Sequence, residues 1–404
     1  MRKSTKKTVD LKTYGIEMWS QPKIEEFRET LLNWYDKEKR DLPWRRREDA
    51  YAIWVSEIML QQTRVDTVIP YFNRFLKELP TIKSLAEAEE DGLLKLWEGL
   101  GYYSRVKNMQ FAARQIMMDF GGQFPNEPKD IQKLKGIGPY TSGAIASMAF
   151  QLPEPAVDGN VMRVLSRLFE IDLDIAKPSN RKVYEVMIRE LIDPVRPGDF
   201  NQALMDLGAT VCTPKNYHPE KSPVKNFNQS FLNDTWETYP IKSKGKKAIK
   251  ETYIGLLVEN EKGQWLLEKR PSKGLLADMW TFPLLSETIM YTEEKWKSFD
   301  LHEKKPNFLL DEMKQDKFKE YVQFKYGIEP KVESYTYEEI KHVFSHIIWS
   351  IQLVKASASE IRGVIPDRCE WVDAANFDQY VFPVPQQKMW NHYNSSQMNL
   401  FRLS

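Results

Sequence analysis

The hydrophobic pattern of this chain changes period once, and that change limits what the chain can fold into. From residue 21 to about 231 the apolar residues recur at helical spacing, and Gly121-Gly122, Pro125, Pro128, Pro153 and Pro155 mark short turns. From residue 254 the texture is that of strands: 253–258, 264–270 and 347–354 are short apolar runs rich in β-branched and aromatic residues. Between the two halves lies Ile241-Lys242-Ser243-Lys244-Gly245-Lys246-Lys247, which has no acidic residue and suits a solvated linker. The chain therefore reads as multidomain, an all-α domain followed by a smaller α+β domain. Its 404 residues agree, being too many for one typical core and enough for two or three.

Composition narrows the class. Apolar residues make up 42% and charged residues 28%, as in a soluble globular protein. A formal net charge of +1 means that any basic surface must be local. The two cysteines, Cys212 and Cys369, exclude a disulfide framework and fit a reducing compartment, so a cytoplasmic location is expected. No apolar run is long enough to span a bilayer. The start, Met1-Arg2-Lys3-Ser4-Thr5-Lys6-Lys7, is basic without an apolar region, so it is not a secretory signal. Residues 1–20 are expected to form a flexible basic tail.

Leu134-Lys135-Gly136-Ile137-Gly138-Pro139-Tyr140-Thr141 is a glycine turn leading into a helix. Glycine takes positive φ at little cost, and Pro139 suits a first helical position. The following residues, to Phe150, continue an Ala-rich helix whose free N–H groups and positive dipole end make an anion site. With a short helix at 128–134 before it, the unit is a helix–hairpin–helix. Gly136, Gly138 and Thr141 are the candidates for holding a DNA phosphate, although Gly-x-Gly alone also suits an ordinary interhelical turn.

Two carboxylates flank this turn. Asp49 caps a helix expected to run through Gln62, on which Glu57 shares a face with Ile53, Trp54 and Leu60. Apolar surroundings disfavour the charged form and raise the pKa, as a general acid near neutral pH requires. Glu57 reads equally as a partly exposed residue paired with an arginine. Asp158 precedes a helix with apolar positions Val161, Val164, Leu165 and Leu168, where backbone N–H groups favour its ionised form. It reads either as a plain N-cap or as an anion beside a developing sugar cation. One group pushed toward neutral and one toward charged would separate acid from anion. Acid, anion and phosphate clamp together point to cleavage of a glycosidic bond in DNA.

The wider set of motifs is Leu42-Pro43-Trp44-Arg45, Ser56-Glu57-Ile58-Met59-Leu60-Gln61-Gln62-Thr63, Gly99-Leu100-Gly101-Tyr102-Tyr103-Ser104-Arg105, Gly138-Pro139-Tyr140-Thr141, Val157-Asp158-Gly159-Asn160 and Phe344-Ser345-His346. Together they resemble the adenine DNA glycosylases, the MutY family of the helix–hairpin–helix superfamily, from about residue 25 to 395. The resemblance implies a helix–hairpin–helix glycosylase domain at 21–234, a basic linker at 235–250, a Nudix-like domain at 251–395 and a tail at 396–404. It implies that Glu57 protonates a flipped adenine and that Asp158 stabilises the sugar cation, aided by Tyr140 and Asn160. Arg40, Trp44 and Gln202 would line the adenine pocket, and Gln62 and Tyr102 would intrude into the duplex. Phe344, Ser345 and His346 would read 8-oxoguanine, with Ser345 bonding the lesion. The implied partner is double-stranded DNA carrying adenine opposite 8-oxoguanine or guanine, met by a monomer at the nucleoid of a bacterium.

The pattern also departs from relatives. Where endonuclease III-type enzymes carry a Schiff-base lysine after the glycine turn, this chain has Tyr140, which implies base removal without strand cleavage. The candidate Nudix helix at 318–327 lacks the acidic cluster that holds magnesium, so that domain is expected to bind and not to hydrolyse. Most adenine glycosylases place four cysteines around a four-iron, four-sulfur cluster. Here only Cys212 remains, and Pro219, Ser222 and Asn228 stand at the other positions. No cluster is expected in the loop 212–228, with Tyr217, Phe227 and Phe231 packing in its place. No other cofactor is implied, except that the hairpin offers room for a monovalent cation. The alternative reading is a helix–hairpin–helix mismatch- or damage-binding protein that is non-catalytic or of altered specificity.

Overall fold

The computed structural model describes residues 9–47, 49–245, 247–286, 312–335, 339–361 and 365–401. Two compact units emerge: Met1–Glu89 with Ser104–Gly245, and Glu90–Tyr103 with Lys246–Ser404. Helices α1 (Gln21–Glu38), α2 (Ala50–Leu60), α3 (Val65–Glu78) and α4 (Ile82–Glu87) precede α5 (Glu90–Leu96), which belongs to the second unit. Helices α6 (Ser104–Asp119), α7 (Pro128–Ile131), α8 (Pro139–Phe150), α9 (Gly159–Phe169), α10 (Arg181–Leu191), α11 (Pro197–Asp206) and α12 (Gln229–Leu232) return to the first.

In the first unit α2 is the enclosed helix. Asp49 Oδ1 accepts the Ala52 N–H at 2.7 Å to start it, and every residue from Ala50 to Met59 is buried. A helix apolar all round must sit inside, not on a surface. It stops at Leu60, two residues short of the expected Gln62. Arg105 takes up its terminal carbonyls, donating to Ile58 at 2.8 Å and Met59 at 3.1 Å. Helices α1, α9, α10 and α11 share one core through Phe27, Leu31, Leu165, Tyr184 and Leu204. Helix α8 lies hard against residues 155–156, since a Cβ on Gly143 would come within 1.9 Å of the Pro155 carbonyl oxygen.

Three expected boundaries shift. Residues 9–20 are not a loose tail: Asp10 caps the turn Leu11–Tyr14, Leu11 and Ile16 are buried, and Trp19 stacks on Phe169 at 4.3 Å. Residues 1–8 lie outside the described residues. The linker 235–250 is tied down through Ser243, because Ile175 N–H donates to Ile241 O at 3.0 Å and Ser243 N–H to Asp174 Oδ1 at 3.1 Å. Residues 90–103, expected in the helical domain, pack with the second unit.

That unit carries a mixed sheet of β1 (Ile249–Glu259), β2 (Gln264–Lys269), β3 (Trp280–Thr281), β4 (Leu284–Ser286), β5 (Ile328–Tyr335), β6 (Ile340–Val343), β7 (Ile347–Ile361) and β8 (Cys369–Asp373). The main order is β3-β2-β1-β7-β5; β4 pairs with β1, β6 with β7 and β8 with β2. β1 and β7 run parallel, with Ile249 opposite Ile347. Helix α13 (Glu312–Tyr326) contributes Phe318, Val322 and Tyr326 to one apolar cluster, and α14 (Val384–Phe401) contributes Met389 to another. Because α14 runs to Phe401, the expected tail from 396 is helix that far, and 402–404 lie outside the described residues. Among the described residues no helix is long and apolar enough to cross a membrane.

Candidate active site

A cavity of about 680 Å³ opens in the first unit, and Glu57, Tyr140, Asp158, Asn160, Arg40, Trp44, Gln202 and Gln62 all line it. Distant stretches of chain thus meet at one space. Helix α2 supplies Glu57, the start of α8 supplies Tyr140, the start of α9 supplies Asp158 and Asn160, and α11 supplies Gln202.

Glu57 is 6% exposed. Burial raises its pKa to about 7; the Tyr140 hydroxyl opposes the rise, the charge of Asp158 adds to it and Arg45 opposes it. Tyr140 Oη donates to Glu57 Oε2 at 2.7 Å, so the carboxyl is held by a phenol and not by the surface arginine of the alternative reading. Burial and the two neighbouring carboxylates push the phenol itself well above its ordinary value, so it remains a donor.

Asp158 is both an N-cap and a wall of the cavity. Its Oδ1 accepts the Val161 N–H at 2.7 Å and its Oδ2 the Asn160 side-chain amide at 2.8 Å. Its pKa is nonetheless raised, because burial outweighs the donations from Val161 and Asn160. The expected opposition of sign between the two carboxyls is therefore corrected. Both are raised by burial, and they differ in hydrogen-bond supply: Asp158 has backbone and amide donors, while Glu57 has one phenol.

The base-pocket candidates have structural ties of their own. Arg40 Nε donates to Asp206 Oδ1 at 2.9 Å, and Arg45 Nη1 reaches Asp206 Oδ2 at 2.7 Å. Asp206 is almost wholly buried; its pKa is lowered, the two guanidiniums more than offsetting its desolvation. Trp44 is buried with its ring edge-to-face on Phe72 at 5.4 Å. Sequence reasoning missed the Arg45–Asp206 pair, as well as Arg181 and Gln151 on the cavity wall. Arg45 stood in a motif already noted, but nothing local marks Asp206, which lies 161 residues away.

Gln62 has φ +57 and Tyr102 has φ +48. A non-glycine residue in this region is uncommon, and for a bulky side chain it is an outlier that the surroundings must hold in place. Gln62 belongs to the first unit; Tyr102, 44% exposed, belongs to the second.

The hairpin forms as expected with two corrections. Gly136 has φ +81 and its Cβ position lies 2.9 Å from Asn108 Cβ, so glycine is required there. Gly138 instead has φ −93 as the N-cap of α8 and needs no left-handed freedom. Thr141 is 2% exposed, so its hydroxyl is enclosed in the fold and does not reach an anion at the surface. The first helical bond runs from Ser142 N–H to Gly138 O, which leaves the Tyr140 and Thr141 amides at the helix mouth.

In the second unit residues 344–346 connect β6 to β7. Ser345 and His346 are exposed, and Phe344 turns inward, edge-on to Trp349 at 4.9 Å. Ser345 Oγ lies 3.2 Å from His346 Nδ1. On α13, Tyr326 Oη donates to Glu268 Oε2 at 2.7 Å and Lys325 lies 3.5 Å from the same oxygen, while Arg368 pairs with Oε1 at 3.0 Å.

Residues 55–189 match the family model for HhH-GPD superfamily base excision DNA repair proteins, and 254–392 match the NUDIX domain model. An adenine DNA glycosylase of Homo sapiens is 34% identical over 429 residues, spanning 92% of this chain and 74% of that protein. The chain belongs to the adenine DNA glycosylase family. A family member from Schizosaccharomyces pombe is 35% identical over 340 residues, covering 70% of this chain and 73% of its own. A solved thermostable thymine-DNA glycosylase is 26% identical at TM-score 0.48, covering 52% of this chain and 98% of that one.

The loop 212–228 is held by its own side chains. Cys212 Sγ accepts from Arg167 Nη1 at 3.2 Å, and the Arg167 guanidinium lies 4.3 Å over the Tyr217 ring. Asn228 Nδ2 donates to Tyr217 Oη at 2.9 Å, and its Oδ1 accepts from Ser230 at 2.8 Å. Phe227 packs edge-on to Phe27 at 5.3 Å, and Phe231 lies 6.1 Å from Trp236. A four-iron, four-sulfur cluster takes four thiolates. One thiol, a hydroxyl, an amide and a proline ring do not fit it, and the thiol and the amide already have protein partners.

Proposed function

We propose that this base excision repair glycosylase removes adenine lying opposite 8-oxoguanine or guanine, hydrolysing the N-glycosidic bond and leaving the abasic site uncut. The observation that carries the reading is the Tyr140–Glu57 hydrogen bond inside a cavity that Asp158 also lines. A carboxyl with a pKa of about 7 is half protonated at neutral pH, as a general acid should be. Its proton goes to a ring nitrogen of the flipped adenine, and the electron pair of the breaking bond leaves with the base. The sugar cation that remains is balanced by the Asp158 carboxylate, either as an ion pair or as a transient bond. Water then adds to the sugar, and its proton returns to the ionised Glu57. Strand cleavage through a Schiff base requires an amine, and Tyr140 has none. Extruding the base costs a few kcal/mol, offset by pocket contacts and by side chains such as Gln62 and Tyr102 filling the vacated stack.

The same reading gives residues 344–346 contact with the base opposite adenine, since the exposed Ser345 hydroxyl and His346 ring offer hydrogen bonds at a strand turn. It also assigns the protein no iron–sulfur cluster, because the donor set does not suit one. The test is to incubate the protein with duplexes carrying adenine or thymine opposite 8-oxoguanine or guanine, with and without hot alkali. Breaks at adenine that appear only after alkali are expected; breaks without alkali would overturn the uncut-strand assignment, and no breaks at adenine would overturn the function. Stoichiometric iron with an absorption band near about 400 nm in the purified protein would refute the clusterless assignment.

A further inference from the structure

The loop that carries Tyr102 is tied to the unit that carries residues 344–346. After α5, the Trp97 indole N–H donates to Gly101 O at 3.1 Å and the Gly99 N–H to Tyr103 Oη at 3.3 Å. Gly99 at φ +99 and Gly101 at φ +70 allow the tight course, and Tyr102 stands at its exposed tip. The loop is thus a small rigid body whose orientation depends on its base.

Glu98 anchors that base. Its Oε1 accepts the Phe382 N–H at 2.8 Å, and its Oε2 pairs with Lys95 Nζ at 2.7 Å. Lys95 Nζ in turn donates to Tyr380 O at 3.0 Å. The Glu98 side chain is 17% exposed, so these are charge-assisted bonds partly out of water. The 380–382 segment is itself fixed to the sheet. The Trp280 N–H donates to Val381 O at 3.3 Å, and the Phe382 ring stacks on Phe282 at 5.7 Å. Phe282, Phe382 and Trp349 share one apolar cluster, against which Phe344 packs. The Phe382 backbone bond and the apolar cluster that holds Phe282, Phe382 and Trp349 thus connect Glu98 to Phe344 of the turn.

We propose that Glu98 is a positioning residue that couples reading of the base opposite adenine by residues 344–346 to insertion of Tyr102. The inference rests on the function proposed above. Glu98 touches no reacting atom; it holds the Tyr102 loop in register with the lesion-reading turn. The preference for 8-oxoguanine over guanine then depends on a carboxylate beside the Tyr102 loop and far along the chain from the turn 344–346.

Single-turnover excision of adenine opposite 8-oxoguanine and opposite guanine tests this in wild type, Glu98→Ala, Glu98→Gln, Ser345→Ala and the Glu98→Ala/Ser345→Ala double variant. A 2-aminopurine beside the mispair reports unstacking by Tyr102. Glu98→Ala should lower the 8-oxoguanine preference about tenfold, a typical coupling between sites, with a much smaller loss of rate opposite guanine. The lesion-dependent 2-aminopurine signal should fall in parallel. Glu98→Gln, whose amide oxygen still accepts the Phe382 N–H, should restore part of both and carries the test if the alanine variant does not fold. The double variant should lose no more preference than the worse single one. A retained preference in Glu98→Ala, equal losses opposite both bases, or additive losses in the double variant would each overturn the coupling. Absence of adenine excision by the wild type would instead overturn the function on which it rests.

Discussion

Replacing Tyr140 by phenylalanine should make Glu57 a weaker acid, and the size of the effect follows from one bond. The phenol donates to Glu57 Oε2 at 2.7 Å and so favours the carboxylate, opposing the burial that lifts the pKa to about 7. The phenol's own pKa is pushed well above its ordinary value, so it donates throughout the working pH range. Hydrogen bonds to charged groups contribute about 1.5–3 kcal/mol net, and one pH unit corresponds to about 1.4 kcal/mol. Phenylalanine keeps the ring and removes the donor, so the Glu57 pKa should rise by roughly one to two units. The assay is the second-order rate constant for adenine removal at subsaturating duplex from about pH 5.5 to 9, which reports ionisation in the free enzyme. Its alkaline limb should fall near pH 7 for the wild type and at least about one unit higher for Tyr140→Phe. The absolute rate is expected to drop as well, since Tyr140 also lines the cavity. An alkaline limb that stays put or moves downward would falsify the assignment of Glu57 as the acid restrained by Tyr140.

Three further outcomes are expected. The folded Glu57 pKa of about 7 lies above its ordinary 4.5, so native stability declines as pH rises through that window, by up to about 3 kcal/mol. Glu57→Gln should abolish excision and gain stability relative to wild type by that amount between pH 5 and 8 in denaturant melts; a constant difference across pH would contradict the burial argument. Asp206→Asn leaves Arg40 and Arg45 without their buried partner and should cost about 3 kcal/mol, read as a lowered Tm, whereas an unchanged Tm would show that the pair is dispensable. Ser345→Ala should reduce the preference for 8-oxoguanine by roughly five- to tenfold, the worth of one hydrogen bond, with excision opposite guanine retained; an unaltered ratio of the two rates would remove Ser345 from lesion reading.

Much of the site was legible because its parts are local. The Asp49 cap, the apolar face around Glu57, the glycine turn and the N-cap position of Asp158 each depend on residues a few places apart, and each formed. The strands expected at 253–258 and 347–354 lie within β1 and β7, which run longer at Ile249–Glu259 and Ile347–Ile361, and 264–270 matches β2 but for its last residue. What failed was the balance of long-range terms. Asp158 was assigned to the charged side from its N–H donors, but the depth at which the fold encloses it is a tertiary quantity, and desolvation won. The tail and linker were judged by their charge, yet Leu11, Ile16 and Ile241 found partners far along the chain.

The residues alone determined the helix and strand periods, the capping groups, and the missing thiols at 219, 222 and 228. These follow from side-chain type and short spacing, which any fold of the chain must respect. Only the tertiary structure decided that Tyr140 meets Glu57 across 83 residues, that Asp206 holds two arginines in the cavity wall, and that residues 90–103 join the second unit. The physical reason is that burial and charge pairing depend on which surfaces the whole chain brings together. The pKa of a buried acid is therefore set by neighbours that its own stretch of sequence does not contain.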